Sequence, residues 1–254
     1  GATFAVDVAG KAFGSATGIA GDFSGVISGT TSELADIGVT ASDAGAALAA
    51  LQANYSGFNP TAEAANTEMV KQLTTLNKLG LSFQTATQMQ DHFKRSMNMS
   101  GKEALAMTSQ IARAGKVVGK STQEMASDFM NMSKSLAAFG NQSDEMFIQF
   151  QAQAKASGIA ANELLELAQG FDTFEDAATK TSKLNAVLGT NLSGIQMINM
   201  AHGDRVNFLR DELRAQVGNM ENLDYYTQKL IAAEIAGGDV AKAQKLINMN
   251  TAEL

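Results

Sequence analysis

Residues 100–140 read SGKEALAMTSQIARAGKVVGKSTQEMASDFMNMSKSLAAFG and contain the start and the end signals of two consecutive helices. Each helix opens on a serine followed three residues later by a glutamate, at Ser100 and again at Ser121. In this capping box the hydroxyl binds a free backbone N–H of the first turn, and the carboxylate reaches back to the serine N–H. Gly119 and Gly140 stand where the helices should stop, because glycine accepts a left-handed helix end at little cost.

The same signals recur along the chain and bracket apolar rows with helical spacing. A third capping box is predicted at Thr85 to Gln88. Further helix ends are predicted at Gly80, Gly158, Gly170, Gly189, Gly203, Gly218 and Gly237. The rows are Met69, Leu73 and Leu76; Ala86, Met89, Phe93 and Met97; Met125, Phe129, Met132, Leu136 and Phe139; Phe174, Ala177, Leu184 and Leu188; Val206, Leu209, Leu213 and Val217; and Leu223, Tyr226, Leu230 and Ala233. Each row predicts a one-sided helix that needs a partner.

Composition favours the same fold class. Hydrophobic residues make up 45% of the chain and aromatic residues only 6%, so the core depends largely on Ala, Leu and Met, which are good helix formers. Pro60 is the single proline, and no alternating run of β-branched residues predicts a strand. We therefore expect an all-α fold of roughly ten short amphipathic helices, packed as helical hairpins or as a repeat-like array.

A 39-residue spacing suggests how such an array would repeat. Gly80, Gly119 and Gly158 are 39 residues apart, and Ser82 recurs as Ser121. Few other residues match, so ordinary helix–loop–helix spacing is the alternative interpretation.

Composition changes near residues 54–60, where we place a domain boundary. Residues 1–57 are rich in Gly, Ala, Ser and Thr and are predicted to form an N-terminal segment that is flexible or packed on a partner. Residues 58–254 are predicted to form the helical domain.

The N-terminal segment contains GKAFGSATGIAGDFSGVISG at residues 10–29, in which six glycines recur every three or four residues. On a helix they would form one stripe that lets another helix approach closely. They are Gly10, Gly14, Gly18, Gly21, Gly25 and Gly29. Glycine costs a helix about 1 kcal/mol relative to alanine, so the stripe needs a packing partner. We predict a helix-packing or partner contact; a flexible leader and a membrane zipper are the alternatives, and Lys11 and Asp22 weigh against the latter.

The charge balance weighs against nucleic acid as a specific partner. The chain has 19 basic and 26 acidic residues and a net charge of −7. It contains no cysteine, which excludes disulfides and cysteine-based metal sites. No run of roughly 18 apolar residues predicts a membrane-spanning helix.

One stretch resembles a nucleotide-binding motif. Residues 114–121, AGKVVGKS, match a relaxed phosphate-loop pattern in which Gly119, Lys120 and Ser121 would hold phosphate and magnesium. A phosphate loop follows a buried strand, whereas the preceding EALAMTSQIARA is helical. We therefore favour the interpretation that Gly119 ends one helix and Ser121 caps the next.

The two histidines are the other candidates for chemistry. His202, Asp204 and Arg205 stand together in AHGDR, which suggests acid–base work. Asp204 is also placed to cap the helix that follows, and no HExxH pairing occurs. His92, beside Phe93, fits a solvated helix face. We predict no catalytic residue, no metal and no cofactor, and hence a protein that is not an enzyme.

From Gly119 onward the order of motifs is KSTQEMASDFMNMSKSLAAFG, then ASGIAANELLELAQGFDTFEDAATKTSKLNAVLGTNLSGIQMINM, then GDRVNFLRDELRAQVGNMENLDYYTQKLIAAEIAGGD. The most specific pieces are FDTFEDAA at 171–178, LNAVLG at 184–189 and residues 205–214. With these pieces, residues 73–246 resemble the helical portion of tail tape-measure proteins of bacteriophages.

The resemblance implies a structural virion protein that occupies the tail tube during assembly, sets the length of the tube and assists genome delivery. The implied partners are tail tube and tail hub or baseplate proteins, further copies of the chain, and the membrane during infection. The implied location is the virion tail, after synthesis in the host cytoplasm, and we expect a segment of a longer protein. A helical membrane-active or pore-forming protein is the alternative, followed by a nucleotide-binding protein that uses residues 119–121.

Overall fold

A computed structural model describes residues 2–19 and 22–250, and in these ranges the chain forms helices and no strands. The all-α prediction is confirmed, with more helices than expected. They are α1 (Ala2–Thr17), α2 (Ser24–Glu33), α3 (Ala41–Asn54), α4 (Glu63–Lys78), α5 (Phe83–Met97), α6 (Gly101–Val118), α7 (Thr122–Leu136), α8 (Ser143–Ser157), α9 (Ala161–Gln169), α10 (Phe174–Leu188), α11 (Gly194–Asn199), α12 (His202–Val217), α13 (Tyr225–Ile235) and α14 (Val240–Asn248).

The chain divides into two compact units, residues 1–141 (unit 1) and residues 142–254 (unit 2). This division does not fall at the boundary expected near residue 57. The reason is that α3 packs on both α4 and α5, and the turn after α3 is tied to α5. Ser56 donates from its backbone N and its Oγ to Asp91 Oδ1, at 2.9 and 2.5 Å. Lys94 Nζ lies 5.0 Å from the centre of the Tyr55 ring.

Unit 1 contains α1 to α7, and its helices begin largely as their sequences dictate. The capping boxes at Ser100 and Ser121 are confirmed: each serine N–H donates to the glutamate three residues on, at 2.8 and 2.7 Å. The box expected at Thr85 is wrong, because α5 begins earlier and Ser82 caps it by accepting from Thr85 N at 3.1 Å. Gln123 of α7 also binds both Ser82 N and Thr85 Oγ1, which stabilises the earlier start.

Most glycines predicted to end helices follow a helix with a positive φ. These are Gly80, Gly119, Gly158, Gly189, Gly218 and Gly237. Three predictions differ. Gly140 lies inside a 3-10 segment that follows α7, Gly170 closes α9 with a right-handed backbone, and Gly203 lies inside α12 instead of ending a helix.

The 39-residue spacing coincides with helix ends, since Gly80 follows α4, Gly119 ends α6 and Gly158 ends α8. Ser82 and Ser121 cap α5 and α7. The second period, residues 119–158, crosses the division between the units.

The buried faces follow the predicted apolar rows in most helices. In unit 1 the core is formed by aliphatic, Met and Phe side chains of α2 to α7, among them Ile27, Leu48, Leu51, Leu73, Leu76, Met89, Phe93, Ile111, Met125 and Phe129. In unit 2, α12 packs on α8, α9 and α14, while α10 packs on α11 and α13. Its core includes Phe150, Leu164, Phe171, Leu184, Met197, Val206, Leu209, Leu213, Ile231 and Leu246.

Two aromatic residues depart from the predicted rows. Phe174 is 65% exposed and Tyr226 is 82% exposed. In α13 the buried face is formed by Ile231, Ala232 and Ile235, so the row predicted through Tyr226 is wrong. The spacing of apolar residues in α13 fits either of two buried faces, one through Tyr226 and one through Ile231. Packing against α10 and α14 buries the aliphatic face.

Candidate functional site

The most elaborate polar cluster of unit 2 surrounds Arg205 on α12. Its side chain is only 4% exposed, and all three guanidinium nitrogens donate hydrogen bonds. Nε donates to the Met200 carbonyl at 3.1 Å, Nη1 to the Ala168 carbonyl at 2.9 Å and Nη2 to the Ile198 carbonyl at 2.9 Å. Nη1 also lies 2.5 Å from Asp172 Oδ1.

These acceptors come from the ends of two other helices. Ala168 lies in the last turn of α9, and Ile198 lies in the last turn of α11, which Met200 follows. The last carbonyls of a helix have no partner within the helix and carry its partial negative charge. A planar guanidinium satisfies several of them at once and so ties α9, α11 and α12 together.

His202 completes this cluster. Its Nε2 lies 2.6 Å from Asp172 Oδ1, the same oxygen that Arg205 contacts. A histidine–carboxylate pair is also how acid–base sites orient an imidazole. Here the carboxylate already neutralises a buried guanidinium, and the pair lies where α9 and α12 meet. The geometry therefore supports a structural role for His202 and Arg205.

Asp204 does not cap α12, contrary to the prediction. The helix begins at His202, and the preceding Ala201 makes no side-chain capping bond. Asp204 Oδ1 instead accepts from Gln149 Nε2 at 3.3 Å, and the Gly203 carbonyl accepts from Gln153 Nε2 at 2.7 Å. The first turn of α12 is thus held by α8.

Residues 114–118 of the phosphate-loop pattern end α6, and residues 119–121 form the turn to α7. Gly119 ends α6 with φ of 77°, and Lys120 N donates to the Gly115 carbonyl at 2.9 Å. Lys120 Nζ lies 2.5 Å from Asp128 Oδ2. Ser121 caps α7, and its side-chain and backbone hydrogen bonds lower the pKa of Glu124. These groups therefore already hold the helix turn together.

The six N-terminal glycines do not form one stripe, contrary to the prediction. Gly18 has φ of 68° and follows the end of α1, and α2 begins only at Ser24. Gly10 and Gly14 lie in α1, whereas Gly25 and Gly29 lie in α2. Gly21 lies outside the described residues.

Three of these glycines lie at close contacts within the chain. A Cβ at Gly10 would lie 3.0 Å from Ser24 N, at the start of α2. Gly25 faces the Glu63 carboxylate, and a Cβ at Gly29 would lie 3.3 Å from Thr67 Cγ2, one turn further along α4. Glycine therefore lets α1 approach α2, and α2 approach α4; contact with another protein stays a prediction.

His92 is only partly solvated, which differs from the prediction of a solvated face. Its ring lies edge-on to Phe93 and Phe129, with centroids 5.8 and 6.3 Å away. Sequence reasoning missed these contacts because the contact with Phe129 depends on packing between α5 and α7.

Unit 2 also contains a cavity of about 340 Å³ between α9, α13 and α14. Ile159, Leu164 and Leu246 are among the residues that line it. Lys242 and Glu163 also line it, and Lys242 Nζ lies 2.7 Å from Glu163 Oε1. The hydrogen bond to Glu163 raises the pKa of Lys242.

Two adjacent tyrosines form the most exposed aromatic surface of unit 2. The rings of Tyr225 and Tyr226 stand 5.7 Å apart in the first turn of α13, and Lys229 Nζ lies 5.9 Å from the Tyr225 ring. Tyrosine is enriched at protein interfaces.

Within residues 2–19 and 22–250, no group of three or more His, Cys, Asp or Glu side chains is arranged to hold a metal ion. None of the described helices combines the length and the apolar character needed to cross a membrane. Comparison of the chain with protein-family models, with curated proteins and with solved structures gives no match.

Proposed function

We propose that this chain is a structural segment of a bacteriophage tail tape-measure protein that acts through helix packing and not through catalysis. The observation that carries the proposal is the position of the residues on which the sequence resemblance depends. All three of its most specific pieces lie in unit 2, where they supply contacts between helices.

The piece at 171–178 supplies Phe171, which is buried, and Asp172, which contacts Arg205. Lys180 Nζ lies 5.1 Å from the Phe171 ring. The piece at 205–214 begins with Arg205 itself and contributes the buried Leu209 and Leu213.

The piece at 184–189 shapes the turn after α10. Asn185 Nδ2 donates to the Leu192 carbonyl and its Oδ1 accepts from Leu192 N, both at 2.8 Å. Thr190 Oγ1 donates to Asn185 Oδ1 at 2.7 Å, and Gly189 ends the helix with φ of 67°. A motif whose members make such contacts is expected of a structural module.

In this proposal the chain is a virion protein made in the host cytoplasm and incorporated into the tail. Its partners are tail tube proteins, tail hub or baseplate proteins and further copies of itself. It sets tube length during assembly and assists genome delivery, with membrane contact at infection. Exposed aromatic side chains such as Tyr226 support a role in protein contacts.

The first test is mass spectrometry of purified tails, in which the proposal requires peptides of this chain. Their absence from intact tails would overturn the proposal.

The second test measures tail length by electron microscopy after in-frame deletion of residues 80–118 from the parental gene. If these residues contribute as continuous helix, removing them shortens the tail by about 58 Å, at about 1.5 Å per residue. An in-frame duplication of the same residues is the matched control and should lengthen the tail by the same amount. Unchanged length in both strains would refute the length-setting role of this region.

A further inference from the structure

His92 is only partly exposed, and one of its ring nitrogens, Nε2, is a buried polar atom without a hydrogen-bond partner among the described residues. The other ring nitrogen, Nδ1, lies 3.4 Å from Ser96 Oγ, at the long end of hydrogen bonding. The neutral ring therefore packs against Phe93 and Phe129 as an aromatic group.

The protonated ring carries an N–H on both nitrogens, so Nε2 is then a donor whichever nitrogen holds the hydrogen in the neutral ring. Protonation thus places a positive charge beside two phenyl rings, with an Nε2–H in a position where no described group accepts the hydrogen bond. Leaving a buried charged donor unpaired costs more than leaving a neutral one.

The charged neighbours of His92 offer limited compensation. Burial lowers the pKa of His92, and Asp91, the preceding residue, is the charged group that partly offsets this lowering. Its Oδ1 already accepts two hydrogen bonds from Ser56, and its Oδ2 lies 3.6 Å from Arg95 Nη1.

No comparable electrostatic contribution to the ring comes from the described charged residues of the four helices packed on α5. Those residues are Asp43 on α3; Glu63, Glu68, Lys71 and Lys78 on α4; Lys102, Glu103, Arg113 and Lys116 on α6; and Glu124, Asp128 and Lys134 on α7.

We propose that His92 is an acid-sensitive latch in unit 1: protonation of its ring opposes the packing of α5 against α7, so mildly acidic solution destabilises this unit. Burial is the largest influence on the ring and lowers its pKa in the folded protein, outweighing Asp91. The unfolded chain then takes up the proton first, near the ordinary histidine pKa of about 6.5. The stability is present above that pH and is lost as pH falls below it.

The direct test is an NMR titration of the histidine ring protons in the full chain. The protein has only two histidines, and His202→Gln assigns both signals. The proposal requires His92 to titrate below pH 6.5 in the folded protein. Titration at or above pH 6.5 would overturn it, and this measurement needs no substitution at His92.

The second test is urea unfolding at pH 7.5 and pH 5.5, a range in which histidine is the side chain that ordinarily titrates. His92→Phe keeps an aromatic ring and removes the titration, and His202→Gln is the matched control. The wild-type folding constant should fall by up to about tenfold more than that of His92→Phe between the two pH values. The same difference should remain when both proteins also carry His202→Gln. Equal pH dependence in His92→Phe and wild type would overturn the proposal. If His92→Phe does not fold, His92→Gln takes its place in the same measurement.

Discussion

Both units cap helices with local side chains, but the reciprocal capping boxes of the described residues all lie in unit 1, whereas α10, α11, α13 and α14 of unit 2 have one-way caps. Unit 1 has three reciprocal capping boxes, at the starts of α3, α6 and α7. In unit 2, α9 and α12 begin after alanines that make no side-chain cap. There Arg205 binds carbonyls at the ends of α9 and α11 from a position far along the chain.

The units also differ in charge. Residues 1–141 contain 10 basic and 11 acidic residues, whereas residues 142–254 contain 9 and 15. Unit 2 therefore carries nearly all of the net negative charge. Its best-connected polar cluster depends on one buried cation, Arg205. A capping box stabilises the one helix that it starts. The buried guanidinium of Arg205, in contrast, joins three helices, so all three depend on one residue.

Arg205→Ala should have the largest effect. It leaves three carbonyls without their donor, and each buried acceptor left unsatisfied costs about 1–3 kcal/mol, whereas the loss of the ion pair with the 43% exposed Asp172 adds less. Urea unfolding of the full chain measures the loss. Arg205→Lys is the matched control, which keeps the charge but not the planar fork and should recover only part of the stability. If the lysine variant equals wild type, the fork geometry is irrelevant.

Gly115→Ala should have the next largest effect and falls in unit 1. A Cβ at Gly115 would lie 2.5 Å from the Lys120 carbonyl oxygen and 3.0 Å from Met125 Cγ, so we expect a loss of about 1–3 kcal/mol from overpacking. Thermal unfolding measures it. Gly45→Ala is the control, because its Cβ would meet only Ala9 Cβ at 3.8 Å, and it should stabilise α3 by about 0.5–1 kcal/mol. Equal losses in both variants would show that close contact is not the cause.

Ser121→Ala should cost about 1 kcal/mol, since it removes one capping hydroxyl from α7. Ser100→Ala tests the equivalent box on α6 and should cost a similar amount. Urea unfolding midpoints of the two variants measure both losses. A loss as large as that of Arg205→Ala would mean that one capping box stabilises more than its own helix. The contrast between the capping boxes of unit 1 and the arginine cluster of unit 2 would then be wrong.

Asp144→Asn should have the smallest effect, and its sign depends on pH. Burial raises the pKa of Asp144 in the folded protein. The stability tied to this group is therefore present below the unfolded pKa and is lost as pH rises through the folded one. The asparagine variant should gain thermal stability relative to wild type on going from pH 3 to pH 7. A relative loss over that range would show that the charged carboxylate is favourable.

Much of unit 1 could be predicted from sequence because its signals are local. The boxes at Ser100 and Ser121 and the turn at Gly119 need only residues within four positions of one another. The box expected at Thr85 failed because Ser82 competes for the same helix start and Gln123, far along the chain, stabilises that choice.

The polar cluster of unit 2 could not be predicted in the same way. Arg205 and Asp172 are 33 residues apart. The other acceptors are backbone carbonyls, which every residue has, so the sequence cannot show which of them bind Arg205. His92 shows the same limit, because its ring contacts Phe129, which lies two helices further along the chain. The N-terminal glycines have helical spacing, but the spacing does not reveal the break after Gly18.

The central claim is that the residues behind the tape-measure resemblance hold helices together. Peptide-resolved hydrogen exchange on full-length wild type and Arg205→Ala tests it most directly. We predict that Arg205→Ala loses protection in residues 161–217, while residues 100–136 keep wild-type exchange. Unchanged exchange in residues 161–217 would contradict the claim.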